Sequence, residues 1–243
     1  MKAVLLCAGY ATRMYPLTRD FPKPLLEVAG APILSHLLAR ATALPGVDEV
    51  VVLTNHRFAP FFAAWARNAS SPAPIRVIDD GSSDESNRLG ALGDLALALR
   101  EVPLAGHDAF VAAGDNLVRF ELSPLAQAFA ARRAPQVTVR RAVPDQRRSR
   151  YGEVLLDASN RVVRFREKPR DPESELASTG LYFFPASTWP LLERYLAEGG
   201  NRDAPGHFIA WLTSHTAVYA HSIEGPWYDI GDLESLERAR AEL

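Results

Sequence analysis

Residues 8–25 hold the first side chains whose types and spacing could do chemistry. Ala8, Gly9, Tyr10, Ala11 and Thr12 lead into Arg13, and Lys23 follows between Pro22 and Pro24. Small side chains let backbone N–H groups approach a polyphosphate closely, where a larger substituent would block them. A guanidinium can fork onto phosphate oxygens, and an ammonium supplies a compact point charge. Pro16, Pro22 and Pro24 stiffen the segment, so both cations are held in place. By residue type alone the segment also reads as a turn carrying two solvated cations. It lacks the Lys-Ser/Thr ending of a Walker A loop and the GxGxxG of a dinucleotide site, which argues against a Rossmann oxidoreductase.

The other candidates are scattered. Asp115 follows an apolar run, residues 109–113, and Gly114. A carboxylate at the end of a strand suits Mg²⁺, a hard ion that takes oxygen ligands; the same residue also reads as a turn cap. Glu167-Lys168, taken alone, is a solvated pair at a strand end, and Asp229 lies too far from Asp115 for spacing to link them.

These residues need a scaffold. Runs rich in Val, Ile or Leu at 2–7, 49–54, 75–79 and 109–113 read as strands buried on both faces. Between them, 33–44, 58–67 and 92–100 are amphipathic at helical spacing. Strict alternation predicts βαβ crossovers and a mainly parallel sheet, with ligands at the carboxyl ends of its strands. The second half predicts strands at 136–143, 152–156, 162–166 and 180–184, mostly without helices between them. Helices at 189–198 and 208–214, a strand at 217–222 and a polar helix at 233–242 follow, the last with Asp232 as its N-cap.

A chain of 243 residues, 47% hydrophobic and 23% charged, fits one α/β domain with a sizeable core. A net charge of -2 argues against a nucleic-acid partner, while leaving room for a local phosphate-binding cluster. One cysteine excludes an intrachain disulfide and points to a reducing, cytoplasmic setting. The apolar start is too short for a signal segment, and no stretch approaches a membrane span. Oligomeric state is not readable, so a homo-oligomer stays open.

Residues 9–25 resemble the signature of the nucleotidylyltransferases that activate sugar phosphates, Gly-x-Gly-Thr-Arg-Leu/Met-x-Pro-x-Thr with Pro-Lys-Pro-Leu behind it. Gly9, Thr12, Arg13, Met14, Pro16, Thr18, Pro22, Lys23, Pro24 and Leu25 match, and Ala11 stands at the second glycine. Later segments are similar in the same order. Gly90 lies in a Leu-Gly-x-x-Gly segment, with Ala91-Leu92 in place of Thr-Ala. Gly114-Asp115-Asn116, Tyr151-Gly152, Glu167-Lys168-Pro169, the strand 178–184 and Trp227-Tyr228-Asp229-Ile230-Gly231 follow; Asp232 replaces a threonine. The strand 178–184 most resembles that of glucose-1-phosphate thymidylyltransferases.

The resemblance implies a Rossmann-like, mixed but mainly parallel sheet flanked by helices, of the nucleotide-diphospho-sugar transferase type. It implies a single domain over 1–243, with about 1–115 holding the nucleotide and about 116–243 the sugar phosphate. Residue 229 lies close to the end of the sequence, so no C-terminal left-handed β-helix is expected. By resemblance, Ala8 to Arg13, Lys23, Gly90 and Asp115 bind a nucleoside triphosphate. Asn116, Gly152, Glu167, Lys168 and Thr179 bind a sugar-1-phosphate, Asp115 and Asp229 hold Mg²⁺, and Arg13, Lys23, Asp115 and Lys168 carry catalysis. Phosphocholine cytidylyltransferases share a similar opening loop, and a catalytically silent nucleotide-sugar-binding homologue is the other alternative. Residues 85–93 do not match the Gln-containing base segment of thymidylyltransferases, which leaves dTTP, UTP, GTP and CTP open.

Overall fold

A computed structural model describes residues 1–142 and 149–243 of the chain. Its first half runs β1 (Lys2–Leu6), a short hairpin of β2 (Glu27–Val28) and β3 (Ala31–Pro32), α1 (Ile33–Thr42), β4 (Glu49–Thr54), α2 (Ala59–Asn68), β5 (Ile75–Asp79), α3 (Ala91–Glu101) and β6 (Ala109–Ala113). Then come β7 (Asn116–Val118), α4 (Ser123–Arg132), β8 (Gln136–Arg141), β9 (Glu153–Leu156), β10 (Val162–Arg166) and β11 (Leu176–Phe184). The chain closes with α5 (Trp189–Ala197), α6 (Pro205–Leu212), β12 (Tyr219–Ser222), β13 (Trp227–Asp229) and α7 (Leu233–Glu242).

Side-chain alternation along the central strands builds two cores. Val4, Val51, Leu53 and Val111 belong to one apolar cluster, with residues of α3, α5 and α6. Their neighbours Ala3, Leu5, Val50, Val52, Phe110 and Ala112 belong to a second, with residues of α1, α2 and α4. Apolar residues on both faces of each strand are what a doubly covered parallel sheet requires.

β1 pairs in parallel with β4 on one side and with β6 on the other, and β5 extends the sheet beyond β4. The chain therefore builds outward from β1 and then returns across it, so strand order reverses between β1 and β6. The crevice beyond their carboxyl ends is where open α/β sheets bind ligands. On the far side of β6, β11 runs antiparallel and carries β8 and β9; β10 pairs with β9, and β12 with β8. One nine-stranded, mixed sheet results.

Several boundaries differ from the sequence expectations. β11 begins at Leu176, not at 180, and bends through a register shift between Ser178 and Tyr182 with Gly180 at φ 74°. The positive φ lets the strand bulge toward the crevice, which explains the glycine. α6 starts at Pro205, three residues earlier than expected. Residue 143, the expected end of β8, lies outside the described residues. α4 was not expected: its buried stripe is only Leu125, Ala126 and Phe129. Asp232 caps α7 by accepting from the Ser235 N–H at 2.8 Å. Among the described residues, no helix is long and apolar enough to cross a membrane.

Candidate active site

The crevice is made by close approach. Leu6 and Ala113 are register partners, and the Gly114 N–H donates to the Leu6 carbonyl at 2.9 Å. A Cβ on Gly114 would lie 2.3 Å from Cys7 Sγ, so glycine is required for Asp115 to emerge there. The preceding loop turns sharply. Ala11 is left-handed (φ 49°, ψ 42°), and the Thr18 hydroxyl pins its carbonyl at 2.8 Å. That conformation explains why glycine occupies this position in the signature the loop resembles.

Lys23 sits in a short 3₁₀ turn, Lys23–Leu25, and its ammonium donates to Asp115 Oδ2 at 2.5 Å. The second carboxylate arrives through a two-stranded ladder. β13 pairs with β7 so that Asp229 faces Asn116, and the Ile230 N–H donates to the Asp115 carbonyl. Three-residue strands thus join aspartates more than a hundred positions apart. Burial, followed by repulsion from Asp115, pushes the Asp229 carboxyl up to about 6. Two hard oxygen donors that repel one another suit a divalent cation. Mg²⁺ commonly takes one or two protein carboxylates, completing its shell with water and substrate phosphate. Among the described residues there is no group of three or more His, Cys, Asp or Glu side chains that could hold a metal ion.

Asp115 separates two cavities and lines both. The first is bounded by Ala8, Gly9, Ala11, Lys23, Gly90 and Asp94. The second is bounded by Arg13, Arg150, Gly152, Glu167, Lys168 and Asp229. Ala113, Gly180, Tyr182 and Pro205 also belong to both walls. In the second, the Glu167 carboxylate is raised, mainly by burial. Gly206 accommodates it: a Cβ there would lie 1.8 Å from Glu167 Oε2. Lys168 is exposed, 3.8 Å from Glu167, and left-handed at φ 45°.

A family model for nucleotidyl transferases matches residues 2–243. The chain belongs to the nucleotidyl transferase family. Among its curated relatives is a mannose-1-phosphate guanylyltransferase of Mycobacterium tuberculosis, 30% identical over 99% of this chain and 64% of that protein. A glucose-1-phosphate adenylyltransferase of Desulfitobacterium hafniense is 26% identical over 99% of this chain and 63% of its own length. The chain thus spans under two-thirds of the length of these relatives. A UDP-glucose pyrophosphorylase bound to UDP-glucose superposes with a TM-score of 0.83 at 17% identity, covering 99% of this chain and 97% of that one. A UDP-glucose pyrophosphorylase from Acinetobacter baumanii gives 0.82 at 22% identity, covering 99% and 92%. They share the family's nucleotide-diphospho-sugar transferase fold.

Within this family member, the residues singled out from sequence fall into three groups. Ala8, Gly9, Ala11, Lys23, Gly90 and Asp115 line the first cavity, and Arg13, Asn116, Gly152, Glu167, Lys168, Thr179 and Asp229 line the second. Thr12 is exposed and lines neither. Tyr10 is 3% exposed, packed in the second core with its hydroxyl 3.2 Å from Ser82 Oγ. Two of the cleft residues are already engaged. Asn116 donates to the Ala113 carbonyl and accepts from the Trp227 indole, while the Thr179 hydroxyl donates to Thr138. Sequence reasoning missed Asp80, Arg88, Asp94 and Asp203 in the first cavity and Arg150 in the second. An aspartate in the first turn of a helix reads as ordinary until its burial is known.

Proposed function

We propose that the chain transfers a nucleotidyl group from a nucleoside triphosphate to a sugar-1-phosphate, forming an NDP-sugar and pyrophosphate. Asp115 carries this reading, because it lines both cavities with the Lys23 ammonium on it and Asp229 beside it. Joining two phosphorylated substrates demands a point where both meet and their charge is neutralised. The guanylyltransferase and adenylyltransferase relatives, named for mannose-1-phosphate and glucose-1-phosphate, support this acceptor class.

In this reading an acceptor phosphate oxygen attacks the α-phosphorus in line. A new P–O bond forms as the bond to the bridging oxygen breaks, and pyrophosphate leaves with that electron pair. The attacking phosphate is already largely ionised near neutral pH, so no general base is needed. The backbone of Ala8, Gly9 and Ala11 receives the triphosphate, and Lys23 neutralises the α-phosphate. Arg13, on the same loop but lining the second cavity, steadies the departing pyrophosphate. Lys168 holds the acceptor phosphate; Glu167, Asn116 and the backbone at Gly152 and Thr179 hold the sugar. Asp115 and Asp229 would hold Mg²⁺, which supplies charge neutralisation at the transferred group. We treat residues 1–243 as one domain because one sheet runs through both halves, and we place the enzyme in the reducing cytoplasm on its single, buried Cys7.

Pyrophosphate release, measured with Mg²⁺ across GTP, ATP, CTP, UTP and dTTP against phosphocholine and a panel of sugar-1-phosphates, tests the reading. Turnover with at least one pair supports it. Release with phosphocholine alone would reassign the acceptor, and none with any pair would leave a nucleotide-sugar-binding homologue.

A further inference from the structure

On the α3 side of the first cavity stand two carboxyls that the proposed chemistry does not use. Asp94, in the first turn of α3, is 3% exposed; among the described residues its buried Oδ1 meets no N–H or O–H donor of another residue type, and its side chain hydrogen-bonds that of Asp80. Asp80, directly after β5, accepts the Ser82 N–H on Oδ1 at 2.7 Å, while its Oδ2 is likewise buried. Both side chains line the cavity. The cation nearest in sequence that lines it, Arg88, is engaged by Glu85 at 3.1 Å and Asp203 at 2.5 Å.

The wall that carries Asp94 is fixed. Gly90 has φ 76°, and a Cβ on it would lie 2.5 Å from the Arg202 carbonyl oxygen. The Ala91 and Leu92 N–H groups donate to the carbonyls of Asp203 and Arg202. The first turn of α3 is therefore held against the 202–203 segment, and Asp94 is held at the cavity wall.

Two hydrogen-bonded carboxyls with one proton between them still carry a negative charge in a buried wall, which N–H donors brought by a ligand would stabilise. A triphosphate brings none, being anionic. The base edges differ in what they offer. Guanine, adenine and cytosine each present an exocyclic amino group. Uracil and thymine present one N–H between two carbonyls. Burial and the Asp80 carboxylate push the Asp94 carboxyl up to about 8, so the pair retains one proton near neutrality. With that proton shared between the two carboxyls, the wall offers a base acceptor oxygens only, and the carbonyls of uracil or thymine would face them.

We propose that Asp80 and Asp94 read the nucleobase and select one with an exocyclic amino group (guanine, adenine or cytosine) over uracil and thymine. The assignment of this cavity to the nucleotide rests on the nucleotidyl-transfer reading. The geometry points to the base and not the ribose, since the cavity's other walls include the small or apolar Leu6, Ala8, Ala91 and Pro205, which suit a flat ring.

The test is equilibrium binding of Mg²⁺-GTP, ATP, CTP, UTP and dTTP, with 2′-deoxy forms of the first three, to wild type, Asp94→Asn and Asp80→Asn. At least one amino-bearing nucleotide should bind wild type about tenfold or more tighter than both UTP and dTTP, the size of a hydrogen bond to a charged group. In Asp94→Asn, whose amide can donate, that ratio should shrink to about threefold or less. UTP or dTTP binding as well as the best amino-bearing nucleotide would overturn the inference. So would an unchanged ratio in a folded variant, with Asp80→Asn replacing Asp94→Asn should the latter lose its cooperative melt. A uniform loss in the variants, joined to sensitivity to the 2′-hydroxyl, would assign the pair to the ribose and overturn base reading. Binding by no nucleotide would overturn both proposals. Base-selective binding without pyrophosphate release would sink the transferase reading alone.

Discussion

Replacing Lys23 by alanine separates its structural from its chemical role. Its ammonium lies 2.5 Å from Asp115 Oδ2, and the two side chains are 13% and 23% exposed. The pair is intermediate between a surface ion pair, worth up to about 1 kcal/mol, and a buried one, whose half-removal costs about 3–5 kcal/mol. A loss of about 2 kcal/mol follows, or about 4–8 °C in Tm for a chain of this size. Without Lys23 the Asp115 and Asp229 carboxylates repel without a counter-charge. Thermal melts followed by circular dichroism should therefore show the full loss in EDTA and a smaller one in Mg²⁺. Turnover should behave differently. Removing a preorganised donor from developing phosphate charge costs about 10²–10³-fold in kcat/KM, and saturating Mg²⁺ should not restore it. Activity within about tenfold of wild type, or a Tm loss indifferent to Mg²⁺, would refute the placement of Lys23 between the phosphate and the carboxylates.

Other perturbations test the scaffold. Gly114→Ala sets a methyl 2.3 Å from Cys7 Sγ and should destabilise by about 1–3 kcal/mol in urea unfolding, with Cys7→Ala in the same chain recovering most of it. Ala11→Gly relieves a left-handed alanine, φ 49°, and should add about 1 kcal/mol to the same midpoint-derived stability. The Asp94 carboxyl, at about 8 against an ordinary 3.8, holds a proton in the folded chain that the unfolded chain gives up. Stability should fall as pH rises across that window and level off above it, and Asp94→Asn should flatten this slope in melts between those limits.

The parallel half was legible because its strands are continuous apolar runs, and β4, β5 and β6 have the bounds their sequence suggests, as does the antiparallel β10. The capping of α7 by Asp232 was equally local. What escaped depends on distant contacts. Three-residue β7 and β13 carry no periodicity of their own, and the register that sets Asp229 opposite Asn116 is a tertiary fact. Tyr10 sits in a phosphate-type loop, yet its ring turns inward to pack at 6.3 Å from Phe58. Asp94 looks like a favourable acid near a helix N-terminus; only the docking of Gly90 against the 202–203 segment makes it part of a cavity wall. Motif order thus announced the family's chemistry, while the wall that would read the base became visible only in three dimensions.

If a nucleotidyl group passes between two substrates meeting at Asp115, the α-phosphorus must travel with it. With a nucleoside triphosphate labelled at the α-phosphate, a sugar-1-phosphate and Mg²⁺, the label should appear in an NDP-sugar in step with unlabelled pyrophosphate, and Asp115→Ala should abolish both. Label appearing as free nucleotide, or transfer that persists in a folded Asp115→Ala chain, would contradict the account.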